Sequence, residues 1–304
     1  MATSEQAPAP AQRRVSEPAR RYAGIGAIDL EFGGHLPDVT VAFQTYGTFT
    51  GGNAVLVEHA LTGDAHVAGP TGTDQPTPGW WDAIVGPGLP LDTDRWFIVC
   101  ANVLGGCRGT TGPSSTAPDG NAWGSRWPRV TVRDQVEVER KLADHLGIES
   151  FACVIGGSMG GMRALEWAVT HPERVRSALL LATTAVSSAD QIGTQTTQIA
   201  VITGDSNWHD GDYAALGVQP ETGLAIARQI AHLTYRSESE LAARFGHAAQ
   251  QTEDPHSPHV VGRHAAAGRF AVQSYLQHHG RKLVDRFDAG TYRSEEHTSE
   301  TPVT

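Results

Sequence analysis

A serine in a glycine-rich segment has the clearest chemical role in this sequence. Ser158 stands at the centre of Gly156-Gly157-Ser158-Met159-Gly160, which has the G-x-S-x-G spacing, between the apolar run FACVI and the helix-forming run GMRALEWAVTH. A strand that turns sharply into a helix at a serine presents the hydroxyl as a nucleophile. The turn strains the serine backbone, and Gly156 and Gly160 carry no side chains that would collide with it. The alternative is an ordinary glycine-rich loop, but the flanking strand and helix favour a catalytic nucleophile.

A serine that attacks a carbonyl group needs N–H donors that stabilise the negative oxygen of the intermediate. The N–H of Met159, at the start of the helix, is one candidate. Leu61 is the other, because it follows the predicted strand AVLVE in the loop HALTGD, where a second donor is expected. An ordinary strand-to-loop turn remains the alternative. We interpret His59 and His66 as hydrogen-bonded structural residues rather than metal ligands.

Two kinds of segment alternate through the first part of the chain. Short β-branched and aromatic runs predict strands, and amphipathic runs predict helices. The predicted strands are residues 39–46, 54–58, 96–100, 151–155 and 178–182, the last as a buried strand, and the predicted helices are residues 132–146 and 161–170. Thr131 and Asp134 match a capping pair, and Gly147 ends the first helix. This alternation predicts a mostly parallel sheet with helices on both faces.

The pattern changes after residue 186. Alternation stops, and amphipathic helical runs follow at residues 195–203, 221–235, 237–246 and 264–279. We interpret residues 187–290 as a helical lid over the sheet. Residues 22–186 form the predicted α/β core. Residues 1–21 are predicted to be a flexible polar tail, because they lack the apolar centre of a signal peptide.

The composition argues against several classes of protein. The net charge is −10 and we find no basic patch, which argues against a nucleic-acid partner. No apolar run approaches the length of a membrane span, so no membrane role is expected. The three cysteines, Cys100, Cys107 and Cys153, are an odd number and widely spaced. They indicate reduced thiols and a cytoplasmic location.

Longer stretches of the sequence resemble the homoserine O-acetyltransferase family. These stretches are NAVLVEHALTGDAHVAG, PGWWDAIVGPGLPLDTDRWFIVCANVLGGCRGTTGPSS and VIGGSMGGMRALEWAVTHPERV. The resemblance extends from about residue 22 to residue 292. It is far more specific than G-x-S-x-G, which also occurs in esterases, lipases and peptidases. The resemblance implies an α/β-hydrolase fold.

The resemblance also implies an acyl transfer in two steps. Ser158 attacks the thioester of acetyl-CoA, the N–H groups of Leu61 and Met159 hold the oxyanion, and CoA leaves. The side-chain hydroxyl of L-homoserine then attacks the acetyl-serine and gives O-acetyl-L-homoserine, in methionine biosynthesis. This chemistry requires no metal and no cofactor, because acetyl-CoA is a co-substrate. A homodimer with the lid helices as its contact is implied as well.

In this family an arginine on a lid helix binds the carboxylate of homoserine, and Arg228 stands at the matching position. A guanidinium suits a carboxylate because two parallel charge-assisted hydrogen bonds fix its orientation. Tyr235 lies in the same matching stretch, ETGLAIARQIAHLTYRS, and is expected to line the pocket. The alternative for Arg228 is a solvated helix residue that pairs with Glu221 or another neighbour.

The sequence departs from the family in two places. The triad aspartate and histidine should follow the lid, but the resemblance stops near residue 292, and RSEEHTSETPVT carries no strand or helix signal. Residues 291–304 are therefore predicted to be unstructured, His297 is not expected to be the base, and the 304-residue chain is expected to be truncated and to lack useful turnover. The second departure is Glu58, where the family commonly has a small or apolar residue. Its charge is expected either to be exposed or to perturb the pocket.

Three other functions stay open from the sequence alone. The first is a homoserine acyltransferase that uses succinyl-CoA, and the second is a serine esterase of the same fold. The third is a non-catalytic fragment. A sheet without its last strands exposes an edge and part of an apolar face, which predicts aggregation or partial unfolding.

Overall fold

The computed structural model describes residues 20–73, 75–251, 253–255 and 268–303. The six strands of its main sheet are β1 Arg21–Gly24, β2 Thr40–Tyr46, β3 Ala54–Glu58, β4 Phe97–Ala101, β5 Cys153–Gly157 and β6 Ala178–Leu181. Their order is β1-β2-β4-β3-β5-β6. Strands β3 to β6 are parallel to one another, whereas β2 is antiparallel to both β1 and β4. The sheet is therefore mostly parallel, as the alternation of elements predicts.

The helices of the described residues fall into two groups. The first group consists of α1 Val132–His145 and α2 Met159–Thr170. The second consists of α3 Ala189–Thr203, α4 Glu221–Thr234, α5 Glu238–Phe245, α6 Ala271–Val284 and α7 Ala289–Glu300. Short 3₁₀ turns lie at Gly124–Arg126, Pro172–Arg174, His209–Gly211 and Tyr213–Leu216. Two-residue strands pair Ile28–Asp29 with His35–Leu36 and Val85–Gly86 with Leu91–Asp92.

The ends of helix α1 follow the predicted signals. The hydroxyl oxygen of Thr131 accepts a hydrogen bond from the Asp134 N–H, and the Asp134 carboxylate accepts one from the Thr131 N–H at 2.8 Å. This reciprocal pair satisfies two N–H groups that a helix start leaves without partners. Gly147 has φ +70° just after the helix, a conformation that favours glycine. The predicted cap and stop are confirmed.

Alternation along the strands divides the core between the two faces of the sheet. Leu56 and Val154 are paired in register, and both face α1 and α2, where Trp167 is fully buried. Their neighbours Val57 and Ile155 point to the opposite face. In the described residues the irregular segment 65–96 covers that opposite face, through a cluster that includes Val67, Ala68 and Val85. No helix of the described residues is long and apolar enough to span a membrane.

Strand β6 is less buried than the sequence predicts. Its run of leucines predicts a fully buried strand, yet Leu179 is 47% exposed and Leu180 is 40% exposed. The reason is its place in the sheet, because β6 pairs with β5 on one side and no described strand pairs with the other side. An apolar run cannot tell a central strand from an edge strand, since both have the same local sequence pattern.

The prediction that residues 291–304 are unstructured is wrong, because most of these residues belong to helix α7. Asp288 caps helix α7 by accepting a hydrogen bond from the Thr291 N–H at 2.7 Å. Tyr292 is buried, and its hydroxyl donates to Gln198 of α3 at 2.6 Å. Thr298 is also buried and donates to the Val130 carbonyl at 3.0 Å. These contacts are tertiary, so a helix signal in the segment itself is not required.

The predicted lid helices have observed counterparts in α3 to α6. Helix α3 begins six residues earlier than predicted, because Ser188 caps it by accepting from the Gln191 N–H. The prediction for residues 264–279 begins on residues 264–267, which lie outside the described residues, and the observed helix α6 continues to Val284. Most of the predicted N-terminal tail, residues 1–19, also lies outside the described residues.

Candidate active site

Ser158 occupies the turn between strand β5 and helix α2. Its backbone has φ 54° and ψ −124°, a strained conformation for a residue with a side chain. The Ser158 N–H donates to Leu181 of β6 at 3.0 Å, and its carbonyl accepts from the Thr183 hydroxyl at 2.8 Å. The side chain is exposed. The turn is therefore fixed by its backbone, while the hydroxyl is available for chemistry.

A cavity of about 420 Å³ opens beside Ser158. Three of the residues predicted to form the site line it together with the serine, namely Leu61, Met159 and Tyr235. Met159 is the first residue of α2, so its N–H has no acceptor in the preceding turn of helix. In the described part of the chain neither the Leu61 N–H nor the Met159 N–H donates a hydrogen bond. Both donors are thus free to bind an oxyanion, although their role stays a prediction.

The loop that carries Leu61 is held from several sides. Thr62 has φ +72°, and the Gly63 N–H donates to the Ala60 carbonyl at 2.8 Å, which closes a tight turn around Leu61. Arg286, from the segment between α6 and α7, donates to the Thr62 carbonyl at 2.7 Å. A turn of this kind was the sequence-level alternative to an oxyanion loop, and the structure shows that the turn borders the serine cavity.

His59 is fully buried at the start of this loop, and its ring makes three hydrogen bonds, of which the longest joins Asn102 Nδ2 to His59 Nε2 at 3.4 Å. The Val103 N–H donates to Nε2 at 3.1 Å, which places the proton of the neutral ring on Nδ1. Nδ1 then donates to the Ala60 carbonyl at 2.9 Å. Burial, reinforced by the charge of Arg163, lowers the pKa of His59 to about 3. His59 is therefore a neutral residue that holds the loop in place.

Arg228 and Tyr235 lie together on and just after helix α4. The guanidinium carbon of Arg228 is 5.7 Å from the centroid of the Tyr235 ring, within the range of a cation–π contact. Tyr235 lines the serine cavity, whereas Arg228 is not among the residues that line it. The alternative ion pair between Arg228 and Glu221 is not seen in the described residues. The structure therefore brings this arginine next to the cavity without assigning it a ligand.

Helix α7 contributes residues to the cavity that the sequence analysis did not predict. Glu296 and Ser299 line it, and Glu296 is buried. Burial raises the pKa of Glu296 to about 7, while a hydrogen bond with Tyr292 opposes the rise. His297 of the same helix instead has its Nδ1 at 3.2 Å from a Glu300 carboxylate oxygen, and it does not line the cavity. No sequence signal could have placed these residues, because their position depends on the packing of α7.

Most of the other lining residues come from the segment after β6 and from α3, and a few come from α2 and α4. Those from the segment after β6 and from α3 are small or amide-bearing residues, with Asp190 as the one carboxylate among them. The whole set consists of Met162, Ala182, Thr183, Thr184, Ser187, Asp190, Gln191, Thr194, Gln195, Gln198, Ala231 and Thr234. Polar residues at this spacing are typical of the exposed face of a helix, so the sequence pattern does not single them out.

A mostly parallel sheet with a serine on a strand-to-helix turn defines an α/β-hydrolase-fold enzyme. A family profile described as alpha/beta hydrolase fold matches residues 53–298, so the expected fold class is confirmed. Within this fold the chain belongs to the homoserine O-acetyltransferase family. A homoserine O-acetyltransferase of Mycobacterium ulcerans is 56% identical over 285 residues, which are 93% of this chain and 73% of the relative.

Solved structures show the same relationship at the level of the fold. The homoserine O-acetyltransferase of Bacillus anthracis superposes with a TM-score of 0.83 at 22% identity, over 95% of this chain and 77% of the other. An esterase superposes with a TM-score of 0.81 at 27% identity, over 93% of this chain and 78% of the other. These superpositions show the fold, and the identity of 56% shows membership of the homoserine O-acetyltransferase family.

Proposed function

We propose that this protein transfers an acetyl group from acetyl-CoA to the hydroxyl of L-homoserine through an acetyl-Ser158 intermediate. The observation that carries the proposal is the exposed Ser158 hydroxyl at a strained turn, in a cavity that Leu61 and Met159 also line. The name of the Mycobacterium ulcerans relative supports the acceptor and the acetyl group. Acetyl-CoA as the donor and the serine intermediate are the new parts of the proposal.

The first half-reaction forms the acyl-serine. The Ser158 oxygen attacks the thioester carbonyl carbon, loses its proton, and leaves a negative oxygen that accepts hydrogen bonds from the N–H groups of Leu61 and Met159. The bond between carbon and sulfur then breaks, and CoA departs as the thiol with the proton. The second half-reaction is the reverse in form, with the homoserine hydroxyl as nucleophile and Ser158 as leaving group. Neither half requires a metal or a cofactor.

Arg228 and Tyr235 are proposed to bind homoserine. The guanidinium next to the cavity supplies two parallel N–H donors for the α-carboxylate, and the Tyr235 ring forms the wall against which the amino acid lies. The buried carboxyl of Glu296 and the exposed carboxyl of Asp190 lie on the same cavity, and the positive charge of Arg228 acts against the rise in the pKa of Glu296 that burial causes.

We also propose that the 304-residue chain performs the transfer slowly. In the described residues the lining of the cavity includes two carboxyl groups and no histidine. General-base catalysis contributes about 10²–10⁴-fold to such a step. We therefore expect acetylation of Ser158 to be slower by a factor of that order than in a relative whose serine has a histidine partner.

The experiment combines the protein with acetyl-CoA and a thiol reagent, with and without L-homoserine, and follows Ser158 by mass spectrometry. We expect a stable acetyl group on Ser158 without homoserine, its loss on addition of homoserine, and neither with Ser158→Ala. Continuous thiol release that ignores homoserine would support the esterase, which the esterase-like structure makes the second candidate. A matched reaction with succinyl-CoA tests the donor. Normal turnover by the 304-residue chain would contradict the proposed slow step.

The cellular setting is proposed on the same basis. A homoserine O-acetyltransferase would act in the cytoplasm in methionine biosynthesis, and the three cysteines are free thiols in the structure, as reduced conditions require. We propose a homodimer with contacts between lid helices, among which α4 and α6 pack closely in the protomer. Sedimentation analysis of the protein tests the dimer, and a single species with the mass of one chain would refute it.

A further inference from the structure

A buried ion-pair network lies directly behind the proposed oxyanion loop. Glu58 is the last residue of β3 and Arg163 is on α2, and both side chains are fully buried. The Arg163 Nη1 atom is 3.3 Å from Glu58 Oε2 and 2.8 Å from Glu139 Oε1 of helix α1. Of the two alternatives expected for Glu58, exposure is therefore wrong, because the side chain is buried beside Arg163.

The second arm of Arg163 reaches the loop itself. Its Nη2 atom donates to the His59 carbonyl at 2.5 Å. His59 directly follows Glu58 and precedes Leu61 by two residues, so this bond fixes the point at which the chain leaves the sheet. One guanidinium thus joins the helix that begins at the nucleophile to the start of the loop that carries the second N–H donor.

The other end of the network is anchored on helix α1. Glu139 accepts a hydrogen bond from Trp167 Nε1 at 3.0 Å, in addition to its ion pair with Arg163. Trp167 lies on α2, one turn of helix beyond Arg163, and is fully buried. Arg163 is therefore clamped between α1, α2 and the end of β3, and its guanidinium has little freedom to move.

The charges explain why the network is rigid. Burial raises the pKa of the Glu58 carboxyl well above its ordinary value, Arg163 opposes the rise, and Glu139 adds to it. This raised pKa favours the protonated form of Glu58. Cys100 and Glu295 also face Arg163, and both groups are buried. Removing the guanidinium alone would leave buried carboxyls without compensation.

We propose that Arg163 is a positioning residue that sets the Leu61 N–H relative to Ser158 through its bond to the His59 carbonyl. The inference rests on the proposed acyl transfer and assigns it a residue outside the cavity. An oxyanion donor acts only when it points to the place where the negative oxygen forms. A displacement of about 1 Å costs on the order of 10²-fold in rate.

Four variants separate positioning from simple stability. Arg163→Lys keeps the charge, but one ammonium group on a shorter reach cannot serve both Glu139 and the His59 carbonyl. Glu58→Gln keeps the shape and removes only the titratable group. The double variant Glu58→Leu with Arg163→Met removes both members of this buried pair together and leaves Glu139 with the Trp167 N–H as its hydrogen-bond partner. Arg140→Met breaks ion pairs with Glu137 and Asp144 on α1 and is the matched control.

Two measurements are made on the full chain, hydrogen exchange of peptides that cover residues 59–63 and the rate of Ser158 acetylation by acetyl-CoA. For Arg163→Lys we expect hydrogen exchange at residues 59–63 to be at least about tenfold faster and acetylation of Ser158 to be about 10–100-fold slower. The acetyl-CoA concentration that gives the half-maximal rate should change by less than about twofold. In Glu58→Gln and Arg140→Met, the exchange rate and the acetylation rate should both stay within about threefold of the parent values.

A folded Arg163→Lys variant with parental exchange and acetylation would overturn the proposal. If this variant does not fold, the double variant decides, because it also lacks the bond to the His59 carbonyl. Faster exchange at 59–63 in the folded double variant supports positioning, and parental exchange overturns it. A parent protein that shows no acetyl group on Ser158 would refute the proposed function, while the exchange data would still decide whether Arg163 holds the loop.

Discussion

The carbonyl oxygen of Glu58 lies against the Cα of Gly160, closer than any side chain at that position would allow. This contact presses the first turn of α2 onto the end of β3, and it brings the Ser158 turn next to the loop that carries Leu61. Gly156 is in a similar position, since a Cβ there would lie 2.9 Å from the Glu58 Cβ. The motif glycines are therefore required by the close approach of two backbones.

Replacing Gly160 with alanine is expected to destabilise the protein by about 2 kcal/mol or more, because the new Cβ would collide with backbone atoms that cannot move independently. Gly157→Ala is the matched control, since a Cβ there would lie 3.6 Å from Leu181 O, an ordinary contact. Urea unfolding of both variants checks the prediction. Equal urea midpoints for the two variants would show that the close contact between Glu58 and Gly160 does not limit the stability of the protein.

The chemical role of Ser158 predicts a second and separate effect. Ser158→Ala should reduce acetylation by acetyl-CoA at least about a thousandfold, while the free energy of unfolding changes by less than about 1 kcal/mol. The fold is spared because the backbone bonds of residue 158 to Leu181 and Thr183 do not involve the hydroxyl. Ser177→Ala, on the surface beyond the cavity, is the control. Intact acetylation in Ser158→Ala would assign the nucleophile to another residue.

Local signals predicted the strand-to-helix turn that holds Ser158. A strand, a serine between glycines and a helix occupy neighbouring positions in the chain, so the sequence pattern specifies the turn directly. The cap of α1 by Thr131 and Asp134 was predictable for the same reason. Each of these features depends on residues within one turn or one strand of each other.

Features that depend on distant parts of the chain were not predictable. The burial of Glu58 requires Arg163, and no local pattern distinguishes this arginine from the others as the partner of Glu58. The exposure of Leu180 depends on which strands pair with β6, and helix α7 depends on the packing of Tyr292 against α3. In each case tertiary contacts override the local pattern.

The proposed binding of homoserine by Arg228 predicts a change that is confined to the second half-reaction. Arg228→Lys should raise the KM for homoserine about tenfold or more, because an ammonium group cannot make the two parallel bonds to a carboxylate. The rate of Ser158 acetylation in the absence of homoserine should be unchanged. Arg236→Lys is the control, since Arg236 pairs with Glu240 on the lid. An equal loss in both half-reactions would indicate that Arg228 acts on the fold instead.

The exposed edge of the sheet predicts self-association. Leu179 and Leu180 present apolar surface on β6, next to backbone groups that no described strand pairs with. Such an edge pairs readily with another chain. Leu180→Lys should reduce concentration-dependent light scattering several-fold. Leu216→Lys removes a leucine outside the sheet that is more exposed than Leu180, and it should leave the scattering unchanged. Equal effects of the two variants would point to general solubility rather than to the edge.

Glu295 on helix α7 predicts a dependence of stability on pH. Burial raises its pKa from the ordinary 4.5 to about 8, and Arg163 opposes the rise. The folded state therefore holds more protons than the unfolded state between pH 4.5 and about 8, so stability falls as the pH rises through this window. Glu295→Gln should raise the free energy of unfolding at pH 8 by about 4 kcal/mol and leave it nearly unchanged at pH 4.

Thermal unfolding across this pH range measures the effect, with Glu238→Gln on the exposed surface of α5 as control. A smaller slope should remain in Glu295→Gln, because burial also raises the pKa of Glu296, to about 7. The double variant Glu295→Gln with Glu296→Gln should remove most of that remainder. If Glu295→Gln keeps the full parental slope, the carboxyl is not buried in solution, and α7 does not pack against the Leu61 loop as the structure has it.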